Sequence, residues 1–474
     1  MQALLFCLQS FLFHVRYTLE NEVKQMLNDL TTGNPPKVIW RFSLPLLLSM
    51  AFQQMYNIAD SMIVGQLVDS NALASIGAAY PITLLFIAIA TGLSMGASVI
   101  IGHHFGAKQM TVAKSAVSTM ALAMAALGII VGLAGVFLAG PLMSLLKTPT
   151  VLYGDSVTFL SIYSVGVPAL FAYNTANAIF TGFGDSKRPL YFLIFSSVLN
   201  VALVLLAVGP LKMGVAGAAW ATTVSQYTAA AMAGLFLIKQ IRSIETEEKP
   251  KRFDKALLGE ICRLSLPAIL QQSCIALGHT FIQSLVNTFN EAFISGYQIA
   301  SRISNFAYMC LNTIGTALSS FVAQNFGAHK SDRIKPGFRA SLIMCLSLAA
   351  VFISLIQLFA PQLVGLFVNA AENPDVIEAG TAFLRVVSPA YLFICFIIAI
   401  GGFLRGIGRV KDFLIITILD LGIRVTMSFV LTRALDSYMG IFWAWYFGSI
   451  PDMIIGLILY RRAFRGGGVL AVHE

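Results

Sequence analysis

Apolar residues run in long blocks separated by short stretches that carry the charges and turn formers, and twelve such blocks begin at about residues 42, 73, 113, 155, 190, 214, 258, 293, 338, 377, 412 and 438. Each block is about 20 residues long, enough for a helix to cross a hydrocarbon core of about 30 Å. A helix closes its backbone hydrogen bonds internally, which is what a lipid interior demands. The pattern therefore predicts an all-α fold, a polytopic membrane protein of twelve transmembrane helices. An outer-membrane barrel would instead show segments of about 10 residues with alternating polarity.

The blocks also repeat. Ser43-Leu44-Pro45 returns as Ser265-Leu266-Pro267, Phe105-Gly106-Ala107 as Phe326-Gly327-Ala328, Pro168 as Pro389, Gly182-x-Gly184 as Gly406-x-Gly408 and Met213-Gly214 as Met439-Gly440, at offsets of about 221 to 226 residues. One repeat holds six helices, an even number, so both copies enter the membrane from the same side. That predicts two six-helix bundles related by a pseudo-two-fold axis along the membrane normal. The expected limits are an N-lobe at 26–240, a charged cytoplasmic linker at 241–256, a C-lobe at 257–462 and a cytoplasmic tail at 463–474. Residues 1–25 stand outside the pattern, and Met26 is the expected native start or the leader is dispensable.

Composition sharpens this reading. The 474 residues are 57% hydrophobic and 11% charged, against about 25% charged in soluble chains. The formal charge of +9 raises nucleic acid as a partner, but the basic residues lie in alternate connections. His103, His104, Lys108 and Lys114 follow the second block, Lys187 and Arg188 the fourth, seven Lys and Arg between Lys239 and Arg263 the sixth, and Lys330, Arg333, Lys335 and Arg339 the eighth. That is the positive-inside pattern, which places both termini in the cytoplasm of a bacterium and the chain in its cytoplasmic membrane. Nucleic acid is excluded as a partner. The six cysteines show no CxxC spacing and imply no disulfide. Enzyme motifs and a phosphate-binding GxxxxGK[ST] loop are missing from the sequence, so the chain reads as neither an enzyme nor an ATP-driven pump, and an ion gradient is left as the energy source. No cofactor is called for, and no interface motif demands more than a monomer.

A charge at membrane depth costs from about 3 to over 10 kcal/mol, so each one needs a reason. Gln53, Tyr56, Asn57 and Asp60 follow i, i+3, i+4, i+7 spacing and share one face of the first helix. Asp60 can exchange a proton or coordinate Na+ with neighbouring oxygens, or serve as a structural aspartate capped by Tyr56 or Asn57. Asn174, Asn177, Asn200 and Thr222 add neutral oxygens from the same half, each alone better explained as a hydrogen bond between helices. In the second half Arg302, Asp420, Arg424 and Asp452 sum to zero charge. Asp420 and Arg424 stand four apart, so a mutual ion pair explains them as well as contact with cargo. His279, Gln271 and Gln272 read first as polar glue between helices.

The run Gln53-Gln54-Met55-Tyr56-Asn57-Ile58-Ala59-Asp60-Ser61-Met62-Ile63-Val64-Gly65 resembles the first helix of the multidrug and toxic compound extrusion (MATE) family. Gly96-Ala97-Ser98 through Phe105-Gly106-Ala107, the turn Gly184-Asp185-Ser186-Lys187-Arg188-Pro189 and Gly214-Val215-Ala216-Gly217 resemble it too. The resemblance implies two lobes opening alternately, with Na+ or H+ entering as an organic cation or amphiphile leaves. It places the ion-coupling positions at Tyr56, Asp60, Asn174, Asn200 and Thr222, with Asp60 as the tentative Na+ ligand. Gln53, Asn57, Asn177, Gln271, His279, Arg302, Asp420 and Arg424 are the expected lining of the cargo cavity. Two positions depart from the family: Val204 stands where a second acid is expected, and Thr181 where an arginine is usual, although Arg405 keeps it in the second copy. The alternatives are a lipid-linked sugar flippase of the same superfamily, which would need several basic residues for pyrophosphate, and a passive channel, which would need a polar stripe along many helices.

Overall fold

The computed structural model of the chain describes residues 28–67, 70–246, 248–369 and 372–464, with the side chains of 56–62, 64–67, 70, 71 and 73 outside that description. The described residues form twelve long helices: α1 Pro35–Leu67, α2 Ser70–Gly106, α3 Met110–Leu145, α4 Thr150–Gly182, α5 Lys187–Val208, α6 Gly214–Ser243, α7 Lys255–Val286, α8 Glu291–Gly327, α9 Ser331–Gly365, α10 Pro374–Gly406, α11 Val410–Leu435 and α12 Met439–Ala463. From α2 onward, eleven are long and apolar enough to span a membrane. The all-α expectation holds, and no strand occurs among the described residues. Most helices begin several residues before the apolar blocks do, because the first turn of a helix tolerates polar residues that the hydrocarbon does not. Asn290 illustrates the point: its side chain accepts the Phe293 N–H at 2.9 Å and caps α8 ahead of the apolar stretch.

The internal repeat is visible in the backbone. Gly184 and Gly408, in the turns that close α4 and α10, both have φ near +78°, a conformation open to glycine at no steric cost. Lys108 and His329, after the two Phe-Gly-Ala sequences, adopt φ of 58° and 56°. Prolines show where the copies diverge. Pro168 is carried inside a continuous α4, whereas Pro389 sits in a 3-10 turn, Ser388–Ala390, that interrupts α10.

Packing divides the chain into two compact units, one with 51–90 and 100–259, the other with 31–50, 91–99 and 260 onward. In the first, α4 packs on α3 and α6, and α5 on α6. Glycines let α3 and α4 approach closely: a Cβ at Gly128 or Gly132 would meet Pro168, and one at Gly135 would meet Ser164. The charged segment after α6 is stitched to α3 rather than hanging free. The Lys114 ammonium donates to the Ile244 carbonyl at 2.5 Å, and the backbone N–H groups of Lys251 and Asp254 donate to the hydroxyls of Ser115 and Thr119 at 3.0 and 2.9 Å.

In the second unit α8 packs on α9 and α10, and α12 on α10 and α11. Its core is aromatic, with Phe293 stacked on Tyr438 at 4.6 Å between centroids and Phe383 edge-on to Phe442 at 5.2 Å.

Candidate functional site

The first unit brings α5 and α6 together around one buried amide. The Asn200 Nδ2 group donates to Ser225 Oγ at 3.0 Å and to Thr222 Oγ1 at 3.3 Å. Each hydroxyl has a single proton, and both protons are spent on the helix itself: Thr222 donates to the Ala218 carbonyl at 3.1 Å and Ser225 to the Ala221 carbonyl at 2.6 Å. Two hydroxyls that can only accept fix the amide with its nitrogen toward them. Asn200 Oδ1 is thereby turned away from them, and among the described residues it has no hydrogen-bond partner although Asn200 is only 2% exposed. A buried carbonyl oxygen in that condition is an acceptor waiting for a cation or a donor.

On α4, Asn177 presents a second buried Oδ1 without a partner among the described residues. Asn174 behaves differently, spending its amide on the Leu170 carbonyl of its own helix at 2.8 Å. Val204, one turn beyond Asn200, is wholly buried and adds no polar atom. Tyr56, Asn57 and Asp60 lie outside the described side chains. Gln53 is described and exposed. Of the expected ion-coupling positions, Asn200 and Thr222 are thus in direct contact.

In the second unit the intramembrane charges concentrate where α11 meets α12. Arg424 Nη2 donates to both oxygens of Asp420, at 2.8 and 2.6 Å, which realises the ion pair that the four-residue spacing predicts. The guanidinium also lies over the Trp445 ring at 4.3 Å to the centroid. Gly448 of α12 faces this pair, and a Cβ there would meet Asp420 Oδ1 and the Arg424 side chain. Asp452, one helical turn further along α12, is 4% exposed, and its Oδ1 has no hydrogen-bond partner among the described residues.

The remaining expected cavity residues scatter. Gln271 is buried and donates to Thr417 Oγ1 at 2.8 Å, tying α7 to α11. His279 and Arg302 are exposed, and no described ion pair includes Arg302. Arg405 is buried over the Phe413 ring at 5.4 Å. At the corresponding place in the first copy, Thr181 Oγ1 donates to the Asn177 carbonyl at 2.9 Å. Among the described residues no three His, Cys, Asp or Glu side chains gather as a metal site.

Two participants were missed from sequence. Ser225 lies one turn after Thr222, and that i, i+3 spacing was the only available signal. Trp445 offered none beyond being aromatic on α12.

Comparison with known proteins places these features. The MatE family signature matches residues 45–206 and 267–430. The probable multidrug resistance protein YpnP of Bacillus subtilis is 29% identical over 413 residues, covering 87% of this chain and 91% of its own. The FAD transporter of Shewanella oneidensis is 24% identical over 437 residues, covering 90% and 94%. A solved outward-facing multidrug resistance MATE family transporter superposes with a TM-score of 0.86 at 23% identity over 92% of this chain and 97% of that one.

Proposed function

Because the chain belongs to the MatE family, whose members are multi-pass membrane transporters and not enzymes, we propose that it is a secondary active antiporter that exports organic cations or amphiphiles in exchange for Na+ or H+. The observation that carries the reading is the buried, unpartnered Asn200 Oδ1, held in place by Thr222 and Ser225. A structural asparagine satisfies both ends of its amide; one that leaves its oxygen open in an apolar surround is built to receive something positive.

In this reading Asp60 supplies the charge, with Tyr56, Asn174, Asn200 and Thr222 as neutral oxygen donors. Loading a cation neutralises the carboxylate and permits one orientation of the cavity, and unloading permits the other. Gln53, Asn57, Asn177, His279 and Arg302 are proposed to contact cargo. Gln271 and the Asp420–Arg424 pair are engaged with their own neighbours, which favours a supporting role for them. With Arg424 committed to Asp420, Arg302 is the one intramembrane arginine of the pair left for an anion, and this weighs against a pyrophosphate-carrying flippase. The lobes at 26–240 and 257–462, the linker at 241–256, the cytoplasmic placement of both termini and a monomeric state are proposed with it.

The test is efflux of a fluorescent cationic dye from everted membrane vesicles under an imposed Na+ or H+ gradient, with choline replacing Na+ at fixed pH. Asp60→Asn should fold, insert and lose gradient-driven efflux. Undiminished coupled efflux in that variant would overturn the assignment.

A further inference from the structure

We infer that Asp452 is a proton-binding site of the second unit, loading and emptying at its own carboxyl beside the Asp420–Arg424 pair. Its existence stands apart from the antiporter reading; its use in transport rests on that reading.

The argument begins with counting. Where α11 meets α12 there are two carboxylates and one guanidinium, and the guanidinium bonds one of them: Arg424 Nη2 holds both oxygens of Asp420, Trp445 covers its face, and Nε makes no hydrogen bond among the described residues. None of the described ion pairs includes Asp452. With both acids ionised, the cluster is one negative charge out of balance in a region where every unbalanced charge is costly. Adding one proton removes the imbalance, and the carboxyl without a cation is the one that takes it.

Local geometry agrees. Asp452 is 4% exposed with Oδ1 unpartnered, and Ser449, on the same face of α12, is fully buried with its hydroxyl oxygen unpartnered as well. Between them Pro451 lacks an N–H, so the Phe447 carbonyl loses its helical donor. A protonated carboxyl is a donor as well as an acceptor, and Ser449, three residues before it, is an unsatisfied hydroxyl on the same face. The charged and titratable groups acting on Asp452 are Asp420 and Arg424 from α11 and the Tyr308 hydroxyl from α8, to which Arg405 of α10 also couples. Among the described residues no three His, Cys, Asp or Glu side chains gather here, and H+ and Na+ are told apart by the Na+ and choline arms of the test. The step is a simple acid–base one: an O–H bond forms on the Asp452 carboxylate with a proton from water, its charge goes from minus one to zero, and release reverses it.

Infrared difference spectroscopy on the purified full chain in liposomes, recorded across a pH jump in H2O and D2O, tests this. The expected result is a protonated-carboxyl C=O band that shifts in D2O, disappears in Asp452→Asn, persists in Asp60→Asn and returns at a changed frequency in Asp452→Glu, which keeps the carboxyl and so controls for folding. A band that survives in Asp452→Asn, or is missing from the unsubstituted chain, would overturn the proposal. So would a band abolished by Na+ but not by choline at fixed pH, since that would make the ligand a metal. Gradient-driven dye efflux missing from the unsubstituted chain while its band is present would count against the antiporter reading alone.

Discussion

Gly448 on α12 lies against Asp420 on α11 so closely that a methyl group on its Cα would overlap the carboxylate oxygen Oδ1. The carboxylate is held there by Arg424, whose side chain also borders the glycine, so neither partner can step aside cheaply. Gly448→Ala should therefore destabilise the protein by about 1–3 kcal/mol, the usual cost of overpacking. Gly422→Ala, on the same α11 but with open space around it, should instead gain up to about 1 kcal/mol from helix propensity. Melting temperatures in detergent distinguish them, and equal shifts would mean that the close approach carries no energy.

The Asp420–Arg424 pair, with side chains 11% exposed on both sides, predicts an asymmetry between single and double replacement. Arg424→Met leaves a buried carboxylate beside Asp452 and should cost about 3–5 kcal/mol, whereas Asp420→Leu combined with Arg424→Met should cost much less or nothing, because an uncompensated charge is worse than none. A double-mutant cycle on thermal stability reads the coupling directly. Additive losses would show that the pair is not desolvated as a unit.

The segment after α6 should be protected by its attachment to α3. Lys114 is buried and donates a charged hydrogen bond to the Ile244 carbonyl, a contact worth about 1.5–3 kcal/mol. Lys114→Met keeps the stem and deletes the donor. Trypsin should then cut after the exposed Lys251 and Arg252 at least about ten times faster, since local opening tracks the lost free energy. An unchanged rate would mean that the contacts of Ser115 and Thr119 hold the segment alone.

How much of this was legible beforehand depends on sequence distance. The repeat, the helices and the Asp420–Arg424 pair were readable because each rests on local spacing: the Gly184 and Gly408 turns are glycines demanded by positive φ, and residues four apart meet on any helix. What could not be read is where a side chain ends up between helices. Asn200 and Thr222 were both named, yet their contact depends on how α5 packs on α6 and on Ser225, which no motif marks. Gln271 read first as polar glue between helices, but its partner Thr417, 146 positions away, carried no sign in the sequence. Asp452 has no arginine four residues away as Asp420 does, and only the packing of α12 on α11 brings it near that pair.

The Asn200 arrangement yields the most direct test of the proposed ion site. Thr222 and Ser225 orient the amide, so removing either weakens the orientation while leaving the oxygen in place, whereas Asn200→Ala removes the oxygen itself. Loss of one neutral hydrogen-bonding group is worth about 0.5–1.5 kcal/mol. Ser225→Ala should accordingly raise the Na+ or H+ concentration for half-maximal efflux by only a few-fold, and Asn200→Ala by about tenfold or more, because a buried oxygen facing a cation counts for more than a neutral contact. The maximal rate at saturating ion should fall less than the apparent affinity does, since Asp60, the carboxylate proposed to carry the charge, remains. If Asn200→Ala lowered stability while leaving ion dependence untouched, the open oxygen would be a packing feature rather than a ligand, and the amide would belong to the structural hydrogen bonds between α5 and α6.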